Sequence, residues 1–340
     1  MSNLIFPTDK GLYCQVADVY VDPWRAVDRA IITHAHSDHA RWGSAQYLCA
    51  APGEKVLQYR LGETARIESM PYGQSFEING VKISLHPAGH ILGSAQARFE
   101  YKGEVWVVSG DYKLNPDSTC EPFEPVKCDT FITESTFGLP IYKWPEREEL
   151  FAEINAWWSK NKSEGRNSLI LCYALGKAQR ILSGLDMSIG PVYTHGAVEV
   201  LNEVYRQSGQ NLAKTTRIQQ DVKPELGSMI LAPPSVQNSP WQRKLQPVAV
   251  AFASGWMQVR GIRRRRSYDK GFILSDHCDW NSLLTAVKLS EASNVLVTHG
   301  YSDIFSKYLK TEMGIESSIL STHYVGELVS EQEEGVEVQE

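Results

Sequence analysis

Four side chains able to hold a metal ion fall within six residues, His34-Ala35-His36-Ser37-Asp38-His39, immediately after the apolar stretch Ala30-Ile31-Ile32-Thr33. A short β-branched run closed by a polar residue reads as a buried strand, so these donors stand where a strand opens into a loop. Three imidazoles and one carboxylate are a mixture of borderline and hard donors, suited to Zn²⁺, Mn²⁺ or Fe²⁺ rather than Ca²⁺. At that spacing two of them can reach one metal and two the next. A fold that carries them must bring further donors to the same edge, and clustering this dense argues against surface histidines.

The chain has 340 residues, 42% of them hydrophobic and 22% charged, the profile of a globular protein with room for two cores. In the first 140 residues, short apolar runs at 29–33, 81–86, 105–109 and 130–133 predict a β-rich layer. From Pro145-Glu146 the pattern changes to a helix, with Leu150, Phe151, Ile154, Trp157 and Trp158 at helical spacing. Strand-like 168–173 and 191–194 then alternate with helix-like 177–185 and 199–207, as in a parallel sheet flanked by helices. Two more strand-like runs, 271–274 and 294–298, each deliver a histidine just beyond their ends. The expected organisation is one domain, 1–140 and 270–326, interrupted by an inserted domain at 141–269. The tail 327–340 has six glutamates and no basic residue and is expected to be disordered.

A net charge of −6 disfavours a polyanionic partner, but the charge is unevenly spread. Residues 141–270 hold 19 Lys+Arg against 11 Asp+Glu, a balance of +8, leaving 15 against 29, a balance of −14, elsewhere. The cysteines Cys14, Cys49, Cys120, Cys128, Cys172 and Cys278 form no CxxC pair, so neither a thiolate metal site nor a disulfide framework is expected. No signal-peptide pattern and no apolar run near the roughly eighteen residues that cross a bilayer is present. A cytoplasmic location and no membrane partner are the expectation.

The order of the remaining motifs resembles the metallo-β-lactamase superfamily. After HxHxDH come His90 in Ala88-Gly89-His90-Ile91-Leu92-Gly93 and Asp111 in Val108-Ser109-Gly110-Asp111. A carboxylate such as Asp111 offers the two acceptor oxygens that bridging two cations needs. Glu134 in Thr133-Glu134-Ser135-Thr136, His277 in Ser275-Asp276-His277-Cys278-Asp279, and His299 in Thr298-His299-Gly300 then resemble the extra motifs of the β-CASP nucleases, with the insertion between the first and second. The likeness runs from about Asp22 to His299, and Cys278 stands where a small residue is usual. It implies an α/β fold, an αββα metallo-β-lactamase sandwich interrupted by an α/β β-CASP domain with a parallel sheet. It also implies two divalent metals, zinc first and manganese second, held by His34, His36, Asp38, His39, His90, Asp111 and His299. Asp22 matches an upstream acidic motif that supports the first histidine loop. His86, His195 and His323 match no motif and are read as structural or surface residues.

The implied chemistry is phosphodiester hydrolysis by a hydroxide generated between two metals, with Asp38 and Asp111 at the catalytic centre. His277 is the candidate acid that protonates the leaving 3′ oxygen, and Glu134 beside it would orient the ring and favour its protonated form. The products implied are a 5′-phosphate and a 3′-hydroxyl. Substrate is expected in a cleft between the two domains. Ser135, Thr136 and Lys177 are phosphate-binding candidates, and the basic run Arg263, Arg264, Arg265 and Arg266 could line a nucleic-acid path, the alternative being a solvated loop. Among functions, the first reading resembles bacterial ligase-associated exonucleases acting 5′ to 3′ on single-stranded DNA in repair. That implies association with a DNA ligase, and the chain's length, with no segment to spare for an RNA-binding or dimerisation module, favours it. A ribonuclease of RNA processing or decay is the alternative, because no residue visibly tests for a 2′-hydroxyl. A small-molecule hydrolase leaves the Glu134/His277 pair and the basic insertion unexplained. A non-enzymatic scaffold leaves the complete ligand set unexplained.

Overall fold

The computed structural model describes residues 3–219, 223–259 and 268–322. The arginine run 263–266, His323 and the acidic tail 327–340 lie outside the described residues. The chain divides into two compact units, the first made of Met1–Pro140 with His277–Ser330 and the second beginning at Ile141 and running to Asp276. Among the described residues it is a mixed α/β protein with three sheets, one of them wholly parallel.

The first unit holds two sheets. One runs β1 (Ile5–Pro7), β2 (Leu12–Cys14), β3 (Val19–Val21), β4 (Arg29–Ile31), β5 (Gln46–Ala50) and β6 (Ile67–Met70), in that spatial order. The other comprises β7 (Ser75–Ile78), β8 (Val81–Pro87), β9 (Ala95–Tyr101), β10 (Glu104–Val108), β11 (Thr130–Ser135), β18 (Asn294–Gly300) and β19 (Glu316–Ile319), ordered β19-β18-β11-β10-β9-β8-β7. The returning chain thus adds its strands beside β11, in parallel.

Alternation along the central strands explains why this sheet is buried on both faces. Trp106, Val108, Ile132 and Leu296 share one core with Ile5, Val21, Ile31 and Ala50 of the first sheet. Their neighbours Val107, Phe131, Val295 and Val297 point the other way, onto Leu283 and Val287 of the helix Trp280–Ser290 and Phe305 and Leu309 of the helix Ser302–Met313. Side chains of a strand alternate faces with period two, so continuous apolar runs here mean a sheet covered on both sides.

In the second unit, β14 (Thr216–Arg217), β13 (Val192–Thr194), β15 (Met229–Ala232), β12 (Asn167–Leu171), β16 (Val248–Ala253) and β17 (Lys270–Phe272) lie in that spatial order. The helices Arg147–Ser163, Lys177–Gly184 and Gly196–Gln207 alternate with its strands. This sets the second unit's boundary later than the expected residue 270. The run around Gly271 and Phe272 is a strand, but its hydrogen bonds go to β16, with Ala251 opposite Lys270 and Phe252 opposite Gly271. The change of unit falls at His277, because pairing partners, not strand propensity, decide which sheet a strand joins.

Phe99 is fully buried in the core shared by the two sheets of the first unit. Phe99→Ala should cost about 3–5 kcal/mol of stability by loss of contacts and cavity formation, read as a lowered urea midpoint. A shift equivalent to less than about 1 kcal/mol would mean that this core does not carry the unit.

Candidate metal centre

Three of the candidate ligands follow strand ends at the same interval. His34 comes three residues after β4, His90 three after β8 and Asp111 three after β10, while His299 is the penultimate residue of β18. The first loop is held from below by Asp22, just past β3 and in the left-handed region (φ 44°), which Asp tolerates better than most residues. Its Oδ1 accepts from the Thr33 backbone N–H at 2.7 Å and its Oδ2 from the Thr33 hydroxyl at 2.5 Å. The same Oδ2 lies 2.8 Å from His39 Nδ1. Asp22 therefore staples the loop's first residue to its last ligand.

The ring nitrogens converge on one carboxylate. Oδ2 of Asp111 lies 3.4 Å from His39 Nε2, 3.5 Å from His34 Nε2 and 3.9 Å from His90 Nε2, while Oδ1 lies 3.2 Å from His299 Nε2. His36 Nδ1 is 3.1 Å from His90 Nε2. Two donor sets result, His34/His36/His90/Asp111 and His39/Asp111/His299, each with its atoms within 4.8 Å of one another. Asp38 belongs to neither set, but its Oδ2 sits 3.7 Å from His39 Nε2, beside the second.

Divalent metals fit these residues. Imidazole nitrogen with carboxylate oxygen is a zinc-type donor set. His34 Nε2 is buried and makes no hydrogen bond among the described residues, an omission that costs about 1–3 kcal/mol unless a ligand meets it. Burial, with the neighbouring His39, His90 and His36, holds the His34 imidazole well below its ordinary pKa, in the neutral form that can ligate. Burial pushes His39 the same way, but Asp111, Asp38 and Asp22 outweigh it and hold that ring well above its usual value. Asp111 in turn is kept well below the usual carboxylate range, because His39 and His277 more than offset its burial.

Glycine is required where backbones cross beneath the centre. Gly110 has φ +56°, and a Cβ there would stand 2.5 Å from Thr33 Oγ1. Gly300 has φ +87°, and a Cβ would stand 2.2 Å from the Ser135 carbonyl oxygen. Ser94, buried beneath His90, accepts from the backbone N–H groups of His90 (3.0 Å) and Ile91 (3.2 Å) and fixes that loop. Nothing in the residue pattern alone singled Ser94 out.

Next to these sets lies a second constellation. His277 Nδ1 is 2.9 and 3.0 Å from the two oxygens of Glu134, and 3.9 Å from Asp111 Oδ2. Glu134 is buried, and it also accepts from the Tyr112 backbone N–H at 3.0 Å and from the Thr136 hydroxyl. Asp111, Glu134 and His277 form a third group with metal-binding geometry, but Glu134's oxygens are already committed to these donors. Cys278, beside them, is a buried thiol pushed well above its usual pKa by burial and Glu134, so it is inert.

The expected phosphate binders are placed differently. Thr136 donates to Glu134, and Ser135, fully buried, donates to the carbonyl oxygens of Thr298 (3.1 Å) and His299 (2.7 Å). Both hydroxyls hold the centre together. Lys177, in the second unit, is fully buried with Nζ 3.7 Å from Asp276 Oδ2 and 4.4 Å from the Tyr173 ring centroid, so its charge is spent inside the protein. Hydroxyl or ammonium chemistry is visible in a sequence, but its direction is not. His86 lies 3.0 Å from Ser84 Oγ and 3.0 Å from Glu124 Oε1. His195 caps the helix Gly196–Gln207 by accepting from the Ala197 N–H.

No protein-family model matches the chain. A probable DNA ligase of Opitutus terrae is 32% identical over 311 residues, covering 90% of this chain and 30% of that protein. An RNase J-like protein of Methanocaldococcus jannaschii is 28% identical over 214 residues, 53% of this chain and 50% of that one. Cleavage and polyadenylation specificity factor 73 of Drosophila melanogaster is 31% identical over 166 residues, 46% of this chain and 24% of that one. The matched stretches are thus half or less of these curated relatives. Among solved structures, a protein of unknown function from Enterococcus faecalis V583 superimposes with a TM-score of 0.59 at 14% identity, covering 88% of this chain and 80% of that chain; the likeness is one of fold. No helix among the described residues is long and apolar enough to cross a membrane, and all six cysteines are buried and form no disulfide.

Asp111→Ala should lose both metals, whereas His299→Ala should lose the ion shared with His39 and keep the one held by His34, His36 and His90. Metal content by mass spectrometry decides, and an Asp111→Ala protein that retains both ions contradicts the shared-carboxylate arrangement. Because Asp111, Asp38 and Asp22 raise the pKa of His39, a metal at its Nε2 competes with a proton. Zn²⁺ affinity should therefore weaken as pH falls, and calorimetry near pH 7 should detect proton release; identical apparent enthalpies in buffers of different ionisation enthalpy would contradict it.

Proposed function

We propose, on the premise that this chain's homologues include β-CASP nucleases of the metallo-β-lactamase superfamily, that it is a metal-dependent phosphodiesterase cutting single-stranded DNA from the 5′ end in repair. The observation that carries this reading is one carboxylate, Asp111, common to two imidazole donor sets with the His277–Glu134 pair beside it. Two facing sheets in the first unit and a parallel sheet in the second support an αββα sandwich carrying a β-CASP insertion.

Two divalent cations, zinc by preference and manganese as the alternative, would supply Lewis-acid charge at the scissile phosphate and lower the pKa of the attacking water. The chain's ligands would be His34, His36, His90 and Asp111 on one side, and Asp38, His39, Asp111 and His299 on the other. Glu134 accepts a hydrogen bond from the Nδ1–H of His277, which leaves Nε2 as the ring's working nitrogen and steadies the imidazolium. From there the ring can protonate the departing 3′ oxygen, a poor leaving group that gains from a proton delivered in the transition state. The products are a 5′-phosphate and a 3′-hydroxyl.

DNA is favoured by the match of 90% of this chain to a stretch of a protein named as a probable DNA ligase. A likeness carried within a ligase polypeptide supports functional association with a DNA ligase. The second reading, ribonuclease in RNA processing or decay, is favoured by the RNase J-like and cleavage-and-polyadenylation relatives.

With Zn²⁺ or Mn²⁺, matched single-stranded DNA and RNA oligonucleotides labelled at either end should be told apart. Mononucleotide release from the 5′ label of DNA is the expected result, and preferential or internal RNA cleavage would replace it with the ribonuclease reading. His277→Ala should keep its metals and lose about 10²–10⁴-fold in kcat; undiminished turnover would remove the acid role.

A further inference from the structure

Trp42 is the most exposed large apolar side chain among the described residues, at 81%. The chain buries Trp106, Trp158, Trp256 and Trp280, as proteins generally do with so large an apolar surface. Its place is specific. It follows the ligand His39 by three residues, so the two Cα atoms lie within roughly 11 Å of each other, and its neighbour Arg41 is exposed as well.

The exposure belongs to a pinned loop. The hydroxyl of Tyr47, a buried residue, donates to the Arg41 carbonyl at 2.9 Å and accepts from the Ser44 N–H at 2.8 Å, bracketing Trp42. Ser44 Oγ accepts from the Val27 N–H at 3.2 Å, and the Ala45 N–H donates to the Val27 carbonyl at 2.9 Å. On the other side, the Ala40 N–H donates to the His36 carbonyl at 2.8 Å. The backbone that holds the indole out is therefore tied both to the first unit's framework and to the metal loop itself. An exposed indole next in sequence to an exposed arginine offers what unpaired nucleotides seek, a face for a base and a cation for a phosphate. Bases within a duplex have both faces already stacked, so such a surface selects single strands.

We propose that Trp42, with Arg41, is a stacking site for one unpaired nucleobase of the strand whose backbone is held at the metal centre. The inference rests on the nuclease reading above and gives that site a substrate contact of its own. The test is a cycle that alters the residue and the base together. Wild-type protein, Trp42→Ala and Trp42→Phe, with metals bound, are titrated with a short single-stranded dT oligonucleotide and an abasic strand of equal length. Both carry phosphorothioate linkages, to resist cleavage, and a fluorescent label for anisotropy.

Trp42→Ala should raise the Kd for dT about 5- to 150-fold, with Trp42→Phe recovering much of the loss and the abasic strand nearly indifferent to either change. Equal weakening toward both strands would assign Trp42 to backbone binding or to the loop's integrity and overturn the stacking site. So would unchanged affinity for dT, or a wild type that binds neither strand. Cleavage of an ordinary oligonucleotide by the wild type is followed in parallel. Coupling without cleavage would sink only the nuclease reading, and cleavage without coupling only the stacking site.

Discussion

A single buried carboxylate organises the first unit. Asp111 is only 4% exposed, and an ionised group so far from water survives only where positive charge and hydrogen-bond donors surround it. Five imidazoles crowd it, with His299, His39, His34, His90 and His277 placing a ring nitrogen 3.2, 3.4, 3.5, 3.9 and 3.9 Å from one or other of its oxygens, and His39, His277 and His299 favour its ionised form. They come from loops behind β4 of one sheet and β8 of the other, from the end of β18, and from the turn before the helix Trp280–Ser290. Both sheets must therefore open at the same place, which the core they share enforces.

A second layer decides which nitrogen each ring presents. Nδ1 of His34, His39, His277 and His299 is taken up by Thr33, Asp22, Glu134 and Thr298 at 2.8 to 3.1 Å. In His34, His39 and His299, occupying Nδ1 leaves Nε2 facing Asp111, fixes the ring plane and makes the inner nitrogen a better donor. Thr33 and Thr298 stand next to the ligands they hold, Asp22 is 17 positions from His39, and Glu134 reaches across 143 positions of sequence to His277. The pair is thus assembled only when the returning chain brings His277 to the end of β11, where the Cys278 N–H donates to the Tyr112 carbonyl.

The second unit contains its own costly device. Lys177 and Arg180, both buried on the helix Lys177–Gly184, converge on Asp276, with Nζ 3.7 Å from Oδ2 and the guanidinium 3.5 Å from Oδ1. Arg180 also donates to the Ser275 carbonyl at 2.7 Å. Buried ion pairs of this kind return little net stability but penalise misplacement heavily, so they hold the segment 275–276 in one conformation immediately before His277.

The ligand candidates were legible because metal chemistry restricts residue type, and three donors with a carboxylate in six positions leave few alternatives. Apolar runs such as 81–86 and 130–133 were legible for a related reason, since a strand covered on both faces must be continuously apolar. The three-residue strands β1, β2 and β3 were not, being too short to show a period. What only the tertiary structure decided is where polar groups point and which sheet a strand joins: Ser135 and Thr136 turn inward to bind the centre's own frame, Lys177 is swallowed by Asp276, and β17 pairs with β16. Hydrogen-bond partners far apart in sequence settle those choices. A linear pattern records which groups need partners, and only the folded chain supplies them.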